Sequence, residues 1–465
     1  MYLYELKKIK KIAILWFWKE GKSTFDFLLR LWINSSDITI LDKNDINIGN
    51  KDVKIITWEK YLDNLWDFNL IFKSPGISPY NKKIIEYKDK LTSQTQIFFD
   101  NYEWRTIWVT ATKGKSTVST LIYETLKNAQ YNVKLVGNIG SPVFDEIDLL
   151  DPENYNYVIY ELSSYMLETC EPKCSIAVLW NIYTCHLDWH NDSFKVYEQA
   201  KLNILKNSEY KIISDEFSQY GQNIDNVYYF WLESKYSNDN NFFYKNNNQL
   251  FSSENLLLLW NHNKKNISCV IWILDIIVEK YNFNSQWIFS KLISSLENTL
   301  KTFTGLPHRM ETVAKNNNIT FIDDGISTTP ESTIEAIKTF WDKINTLFLW
   351  GWDYWFTQDS YTLLKNAISE YEIKNIVLFP DTGLDIFNIQ RNTYKFWEIF
   401  NYTLDDIQLN ILFTNNMSQA IKFSYENTWE NNICLMSCAA PSYSIWSWYE
   451  EKWKEFIDEI NKQKN

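Results

Sequence analysis

Short apolar and β-branched runs alternate with polar or helix-patterned stretches from residue 10 onward. Over residues 10–100 the runs are Lys11–Trp16, Ile38–Leu41, Val53–Ile56 and Leu70–Phe72, and Ser74-Pro75-Gly76 marks a turn. This is the rhythm of βαβ units feeding a parallel sheet. A second block opens with Thr106–Thr110, continues through Tyr157–Tyr160 and Ile176–Leu179, and runs to about residue 303. Its Asn-rich patch at 237–248 reads as a solvated surface loop. A third block carries strands at Ile319–Ile322, Thr346–Leu349, Asn375–Leu378 and Ile433–Ser437, with helical patterns at Pro330–Phe340 and Tyr449–Ile460. The pattern predicts three α/β domains, 1–102, 103–303 and 304–465, with no short repeat of solenoid type.

Composition narrows the partners. A net charge of −12 gives no basic footprint for nucleic acid. Any polyanion bound is expected to be small and held by local lysines and loop amides. The six cysteines, at 170, 174, 185, 269, 434 and 438, lack Cys-x-x-Cys spacing and fit a reducing compartment. Near the N-terminus, Lys7–Lys11 precede an apolar run, but Lys19, Glu20 and Lys22 follow without a small-residue cleavage site. A first strand is the better reading than a signal peptide. The longest later apolar stretch, Val270–Val278, contains Asp275 and is too short to span a bilayer. A cytoplasmic protein without membrane or nucleic-acid partners is expected.

The segment Trp108-Val109-Thr110-Ala111-Thr112-Lys113-Gly114-Lys115-Ser116-Thr117 holds the clearest chemistry. An apolar run that ends in Gly-Lys-Ser-Thr and opens into a helix offers backbone N–H groups, an ammonium and a hydroxyl to phosphates and magnesium. The generic phosphate-loop pattern is only partly met, because Val109 stands five before Gly114. An ordinary strand-turn-helix with a surface lysine is the alternative. Three clusters add weight: Tyr160-Glu161-Leu162-Ser163-Ser164, the stretch Asn181–His190, and Lys201 in a helical pattern. They bring carboxylate, imidazole and amine to strand ends, where open α/β sheets place ligands. Taken alone, Lys201 reads as a solvated helix lysine. His262 lies in Asn261-His262-Asn263-Lys264-Lys265-Asn266, whose amides at i, i+3 could read a base edge or cap a helix. His308 lies in Thr304-Gly305-Leu306-Pro307-His308-Arg309-Met310-Glu311, where Arg309 suits a phosphate or a surface salt bridge.

The ordered series GKST, GNIGSPV (137–143), ELSS, HLDWH, NHNKKN, TGLPHRME and SCAAPS (437–442) resembles the Mur ligase family along nearly the whole chain. The resemblance implies an N-terminal Rossmann-like UDP-binding domain, a central P-loop ATPase with a mostly parallel sheet, and a C-terminal Rossmann-like domain. It implies an ATP-dependent amide ligase of peptidoglycan synthesis that adds D-glutamate to UDP-N-acetylmuramoyl-L-alanine through an acyl phosphate, as a monomer. By the same resemblance, Thr112, Lys113, Gly114, Lys115, Ser116 and Thr117 hold ATP phosphates. Asn263 and Asn266 lie near adenine, and Arg309 and Asp324 near the γ-phosphate and ribose. Ser116 and Glu161 help to bind one Mg²⁺, and His186 with a carbamylated Lys201 a second. Lys115, Asn138, His186 and Lys201 form the catalytic set. Leu15, Trp16, Asp42, Ser74 and Gly76 match the UDP-sugar region, and Thr328, Ser442 and Tyr449 the amino-acid region. The family's usual lysines are replaced by Ile326 and Tyr354, which weakens the match for D-glutamate. Another Mur-type or folylpolyglutamate-type ligase, or a noncatalytic nucleotide-binding protein, is the alternative. A NAD-dependent enzyme is disfavoured, since Gly114-Lys115-Ser116 points to a triphosphate.

Glycine is scarce. The chain has 11 glycines and 22 tryptophans, which only together reach the glycine share of about 7% usual in proteins. Tryptophan stands at family glycine positions at 16, 18, 32, 108, 260, 350, 355 and 453, whereas Trp189 fits the family as it is. We expect these codons to be UGA, decoded as glycine in the cell of origin. UGG at Trp16, Trp108 and Trp350 would rule this out. Several of the eight indoles are expected to lie in turns, project into solvent or crowd a ligand pocket.

Overall fold

In the computed structural model the chain divides into two compact units, Met1–Phe303 and Thr304–Asn465. The structure describes all residues except 50–51, 103–104, 231–235, 239–241, 255, 258–260, 282–284, 352–357, 391–392, 441–444, 447–448 and 464–465, and it leaves out the side chains at 236–237, 261–262, 342, 351, 358–359, 381–382 and 449. Ser442, Trp260, Trp355 and Tyr354, with the side chains of His262 and Tyr449, therefore lie outside the described residues.

The first unit holds two parallel sheets. Strands β1 (Ile12–Leu15), β2 (Ile38–Asp42), β3 (Lys54–Thr57), β4 (Leu70–Lys73) and β5 (Leu91–Thr92) lie in the order β3-β2-β1-β4-β5. The order reverses between β1 and β4, so the loops after these strands flank a switch-point crevice. The second sheet comprises β6 (Thr106–Thr110), β7 (Val133–Gly137), β8 (Tyr157–Glu161), β9 (Cys174–Leu179), β10 (Ser208–Ser214) and β11 (Val227–Phe230), in the order β11-β10-β9-β6-β8-β7. Every residue of β6 and β8 is buried, which is why these strands read as unbroken apolar runs. Helices Lys115–Asn128, Asn261–Tyr281 and Gln286–Thr302 cover one face. On the other face, the helix Gln94–Asn101 inserts Phe98 and Phe99 into a core shared with the first sheet.

The Asn-rich patch is not a loop. Strands β12 (Tyr236–Asn238), β13 (Phe242–Lys245) and β14 (Asn248–Ser252) form a small antiparallel sheet. Asn246 and Asn247, with φ of 48° and 64°, make the two-residue turn between β13 and β14. Positive φ at both positions is what such a turn requires, and asparagine tolerates it. Phe243 and Phe251 pair across the strands with ring centroids 4.9 Å apart and are buried among the helices. The asparagines thus mark turn chemistry, and the aromatic residues supply the buried face.

In the second unit, β15 (Glu311–Asn316), β16 (Ile319–Asp323), β17 (Ile344–Gly351), β18 (Asn375–Asp381), β19 (Glu398–Leu404), β20 (Ile407–Phe413) and β21 (Ile433–Ala439) form one sheet in the order β15-β16-β21-β17-β18-β20-β19. Its interior pairs are parallel and both margins antiparallel. The helix Pro330–Phe340 begins with proline and is capped by Thr329, which accepts from the Ser332 N–H.

The suspect indoles split into groups. Trp16 and Trp32 have φ of 73° and 64°, and Trp18 and Trp32 are exposed. Trp108 and Trp350 are instead wholly buried, and Trp108 stacks on Phe99 at 3.9 Å between centroids. These two neither lie in turns nor project outward, although both indole N–H groups lack a hydrogen-bond partner.

Candidate active site

The second sheet reverses its winding at β6, with β8 on one side and β9 on the other. The phosphate loop leaves β6 at this point. Gly114 precedes the helix Lys115–Asn128 with φ +86°, and a β-carbon there would lie 3.3 Å from Oδ1 of Asn266. Left-handed backbone and a close neighbour both call for glycine. Asn266 donates to Asn263 at 3.0 Å, so the two amides sit as a pair beside the loop. The first-turn N–H groups of a helix have no intrahelical acceptor, and the helix's positive end favours an anion there.

One side chain shapes the loop that was given no role in the sequence analysis. Asn181, buried just past β9, accepts with Oδ1 from the N–H groups of Thr112 and Lys113, both at 2.9 Å. Its Nδ2 donates to the Lys113 carbonyl at 2.9 Å. The Thr112 hydroxyl accepts from the Tyr183 N–H at 2.9 Å and bonds the Tyr197 hydroxyl at 2.6 Å. Thr112 thereby braces the loop. A buried asparagine directly after an apolar strand was the available signal, but its partners are distant in sequence.

Glu161 ends β8 and is wholly buried. Its Oε1 accepts from Nδ2 of Asn138 at 2.7 Å, and its Oε2 is buried without a hydrogen-bond partner. A buried carboxylate oxygen with no donor is costly, and it fits a divalent cation. Ser116 is buried on the first turn of the helix Lys115–Asn128. Lys201, on the helix Phe194–Leu202, is also buried and donates to the Ala111 carbonyl at 2.7 Å. Burial lowers its pKa well below 10.5; the Lys115 charge adds to this, and Cys185 and Glu161 oppose it. His186 stands at the rim with φ 55° and an exposed surface. Loss of hydration, then the charges of Lys115, Lys113 and Lys201, hold its pKa below the ordinary 6.5. The chemical consequence is a neutral imidazole at pH 7. Lys115, Glu161, His186 and Lys201 are therefore gathered at the ends of β6, β8 and β9.

The segment bearing His186 is fastened to its surroundings. The Ser78 hydroxyl donates to the Trp189 carbonyl at 2.6 Å. His190 bonds Glu168 at 3.1 Å and Ser164 at 3.0 Å, and Glu168 also takes the Tyr80 hydroxyl. Lys73, at the end of β4, is pushed down to about 8 by burial, against the pull of Cys170, Glu20 and Glu168.

In the first sheet, Leu15 is wholly buried in the core and offers only backbone, its carbonyl accepting from the Ser74 N–H at 3.2 Å. Asp42 is buried and accepts from the N–H groups of Phe17 at 2.7 Å and Asn44 at 2.9 Å, so its carboxylate shapes the loop after β1. The Ser74 hydroxyl donates to the Trp16 carbonyl at 2.9 Å. The Trp16 ring lies against Gly76: a β-carbon there would fall 1.6 Å from Cζ3 of the indole.

The second unit holds a polar group of its own at the end of β16. Asp324 is buried and accepts from the Ser437 hydroxyl at 2.7 Å and the Met310 N–H at 3.3 Å. Burial pushes its carboxyl up to about 6 against the hydrogen bonds of Ser327 and Ser437. Arg309 is near enough to act on the same carboxyl. His308 bonds Asp323 at 2.7 Å through Nδ1 and Glu311 at 2.9 Å through its N–H. Thr328 and Ile326, both half-buried, follow in the segment that leads to the helix Pro330–Phe340.

Comparison with known proteins bears on the whole chain. Residues 109–274 match the Mur ligase middle domain. The UDP-N-acetylmuramoylalanine–D-glutamate ligase of Buchnera aphidicola subsp. Schizaphis graminum is 30% identical over 471 residues, covering 96% of this chain and 97% of the relative. That of Clostridium kluyveri is 27% identical over 476 residues, covering 98% and 97%. Among solved structures, the UDP-N-acetylmuramate-alanine ligase of Thermotoga maritima superposes with a TM-score of 0.57 at 16% identity, covering 98% of this chain and all of that one. A MurF ligase from Thermotoga maritima in complex with ADP gives 0.54 at 15%, covering 98% and 97%. With a relative this similar along almost the full length of both chains, and with a phosphate loop, buried carboxylate and buried lysine at the ends of one parallel sheet, the chain belongs to the Mur ligase family and is an ATP-dependent ligase that forms an amide bond.

Proposed function

We propose that the chain joins D-glutamate to UDP-N-acetylmuramoyl-L-alanine in the cytoplasm as a step of peptidoglycan precursor synthesis, with residues 1–102 taking the UDP-sugar, 103–303 ATP and 304–465 the amino acid. The observation that carries the reading is the convergence of Lys115, Glu161, His186 and Lys201 around the phosphate loop.

A carboxylate accepts no amine at neutral pH until one of its oxygens becomes a leaving group. The substrate carboxylate oxygen therefore attacks the γ-phosphorus, and ADP leaves. The D-glutamate nitrogen then adds to the acyl carbon, loses a proton, and inorganic phosphate departs as the amide forms. Lys115 and the N–H groups of the helix Lys115–Asn128 neutralise the triphosphate. Asn138 holds Oε1 of Glu161, which leaves Oε2 available to a cation. Ser116, Glu161, neutral His186 and Lys201 would hold magnesium, whose charge when bound offsets that building up on the transferring phosphoryl group. A lysine whose pKa is lowered carries a free amine, which adds to CO₂, loses a proton and becomes a carbamate with two acceptor oxygens. That chemistry suits Lys201 beside the cation of Lys115.

The test is phosphate release with UDP-N-acetylmuramoyl-L-alanine and a panel of D- and L-amino acids. The expected result is release that requires both the nucleotide substrate and D-glutamate and falls by about 10²-fold or more in Glu161→Gln. Release without either co-substrate would favour a different function. Ile326 at a family lysine position supports a second reading, a different amino acid, which the same panel would reveal.

A further inference from the structure

Among the described residues, 25 other than glycine have positive φ. Eleven are asparagine and two aspartate, whose short polar side chains suit this conformation. Five are tryptophan, at 16, 32, 58, 341 and 397, as many as the glycines with positive φ. A bulky aromatic residue has no such excuse. Trp32, Trp58, Trp341 and Trp397 are all exposed, Trp32 at 89%, so burial does not hold them there.

The backbone at these positions has the form that glycine serves. Trp32 follows the helix Lys19–Arg30: its N–H bonds the Leu29 carbonyl at 2.9 Å, and the Ile33 N–H bonds that of Leu28 at 3.1 Å. This pair of bonds is the helix ending in which the left-handed residue is usually glycine. Gln130 does the same at another helix end with a slim, flexible side chain. Trp341 is more telling. Its φ of 51° and ψ of −130° lie outside the left-handed helical region, in the mirror image of the extended region, which belongs to glycine.

Trp16 is where the difference reaches a site. Its N–H bonds the Leu41 carbonyl at 2.8 Å, its carbonyl takes the Ser74 hydroxyl, and a β-carbon at Gly21 would lie 2.4 Å from its oxygen. With the backbone pinned on three sides at φ 73°, the indole lies across Gly76 in the crevice between the loops after β1 and β4.

We propose that glycine stands at positions 16, 32, 58, 341 and 397 in the protein as its own cell makes it, and that glycine at 16 clears the switch-point crevice for a uridine nucleotide. The second half rests on the proposed assignment of the first sheet to the UDP-sugar. Trp189 and Trp446 are internal controls. Trp189 stacks on Tyr165 at 4.4 Å with Lys73 over its ring, and Trp446 donates to Glu455 at 2.6 Å. Both are buried and use the indole, whereas Trp58, whose indole N–H donates to Asp45 at 3.2 Å, does so only at the exposed surface.

The gene is expected to carry UGA at the five positions and UGG at 189 and 446; UGG at the five overturns the proposal. Independently, the full chain is made in three versions, with tryptophan, alanine or glycine at all five. The glycine version is expected to melt about 5 °C or more above the tryptophan version and also above the alanine version, because alanine removes bulk but keeps the strain of positive φ. A glycine version that melts no higher than the alanine version overturns the assignment. In the glycine background, UDP is expected to bind at least about tenfold more tightly than in a version with tryptophan restored at 16 alone, with ATP binding unchanged. A higher melting temperature without any gain in UDP affinity upholds the five glycines and removes the crevice claim, while amino-acid-dependent turnover separately tests the ligase reading.

Discussion

The carboxamide of Asn181 satisfies two backbone donors and one backbone acceptor in the phosphate loop. Truncation at this position leaves the Lys113 N–H and carbonyl to find water or another conformation, and leaves the Thr112 N–H only the longer bond to the Asn181 carbonyl at 3.1 Å. With roughly 1 kcal/mol net per hydrogen bond, Asn181→Ala is expected to raise the KM for ATP by about tenfold or more. Asn181→Asp keeps both acceptor roles and should fall between. Steady-state phosphate release at varied ATP checks this, and an unchanged KM in the alanine variant would sink it. Asp324 gives a prediction in pH. Its folded-state pKa, about 6, lies above the ordinary 3.8. Between those values the folded chain holds a proton that the unfolded chain has lost, so stability falls as pH rises from 3.8 to 6, by roughly 1.4 kcal/mol per unit at most. Asn in place of Asp keeps the shape without the charge. Denaturant melts are expected to show Asp324→Asn gaining on the unmodified protein across that window and remaining the more stable above pH 6; parallel curves would contradict the assignment.

Among the elements, the small sheet β12–β14 is a packed part of the first unit. Phe243 is wholly buried against Phe251 and the two long helices. Phe243→Ala is expected to destabilise the first unit by about 3–5 kcal/mol in denaturant unfolding, whereas a solvated loop would tolerate it. Reading strands from sequence succeeded where a run was buried on both faces, as at Thr106–Thr110, and where helix ends carried their own chemistry, as at Thr329-Pro330. It failed in this sheet because the strands are only three to five residues long and the asparagines in and between them mask the aromatic residues that form the buried face. Periodicity has too few positions there to speak. The phosphate loop and Glu161 were legible because local motif and strand end coincide. Asn181 and the loop-shaping role of Asp42 were not, because both act on backbone far away in sequence or on their own loop, and only tertiary structure brings the partners together.

For the whole molecule, the chain passes from one compact unit to the other at Phe303/Thr304, beside the Gly305 and Pro307 that punctuate the sequence. Among the described residues no helix is long and apolar enough to cross a membrane. Within the first unit the two parallel sheets share a continuous core, and polar bonds add a second connection. Ser78 and Tyr80, on the chain just after β4, hold the Trp189 carbonyl and, through Glu168, the His190 ring. His190 in turn closes back on His186 and Leu187 through its N–H, at 3.3 and 2.9 Å. The two sheets are thereby geared together, and a substitution that frees the 74–80 loop, such as Ser78→Ala, is expected to move the segment that carries His186 as well as the loop itself.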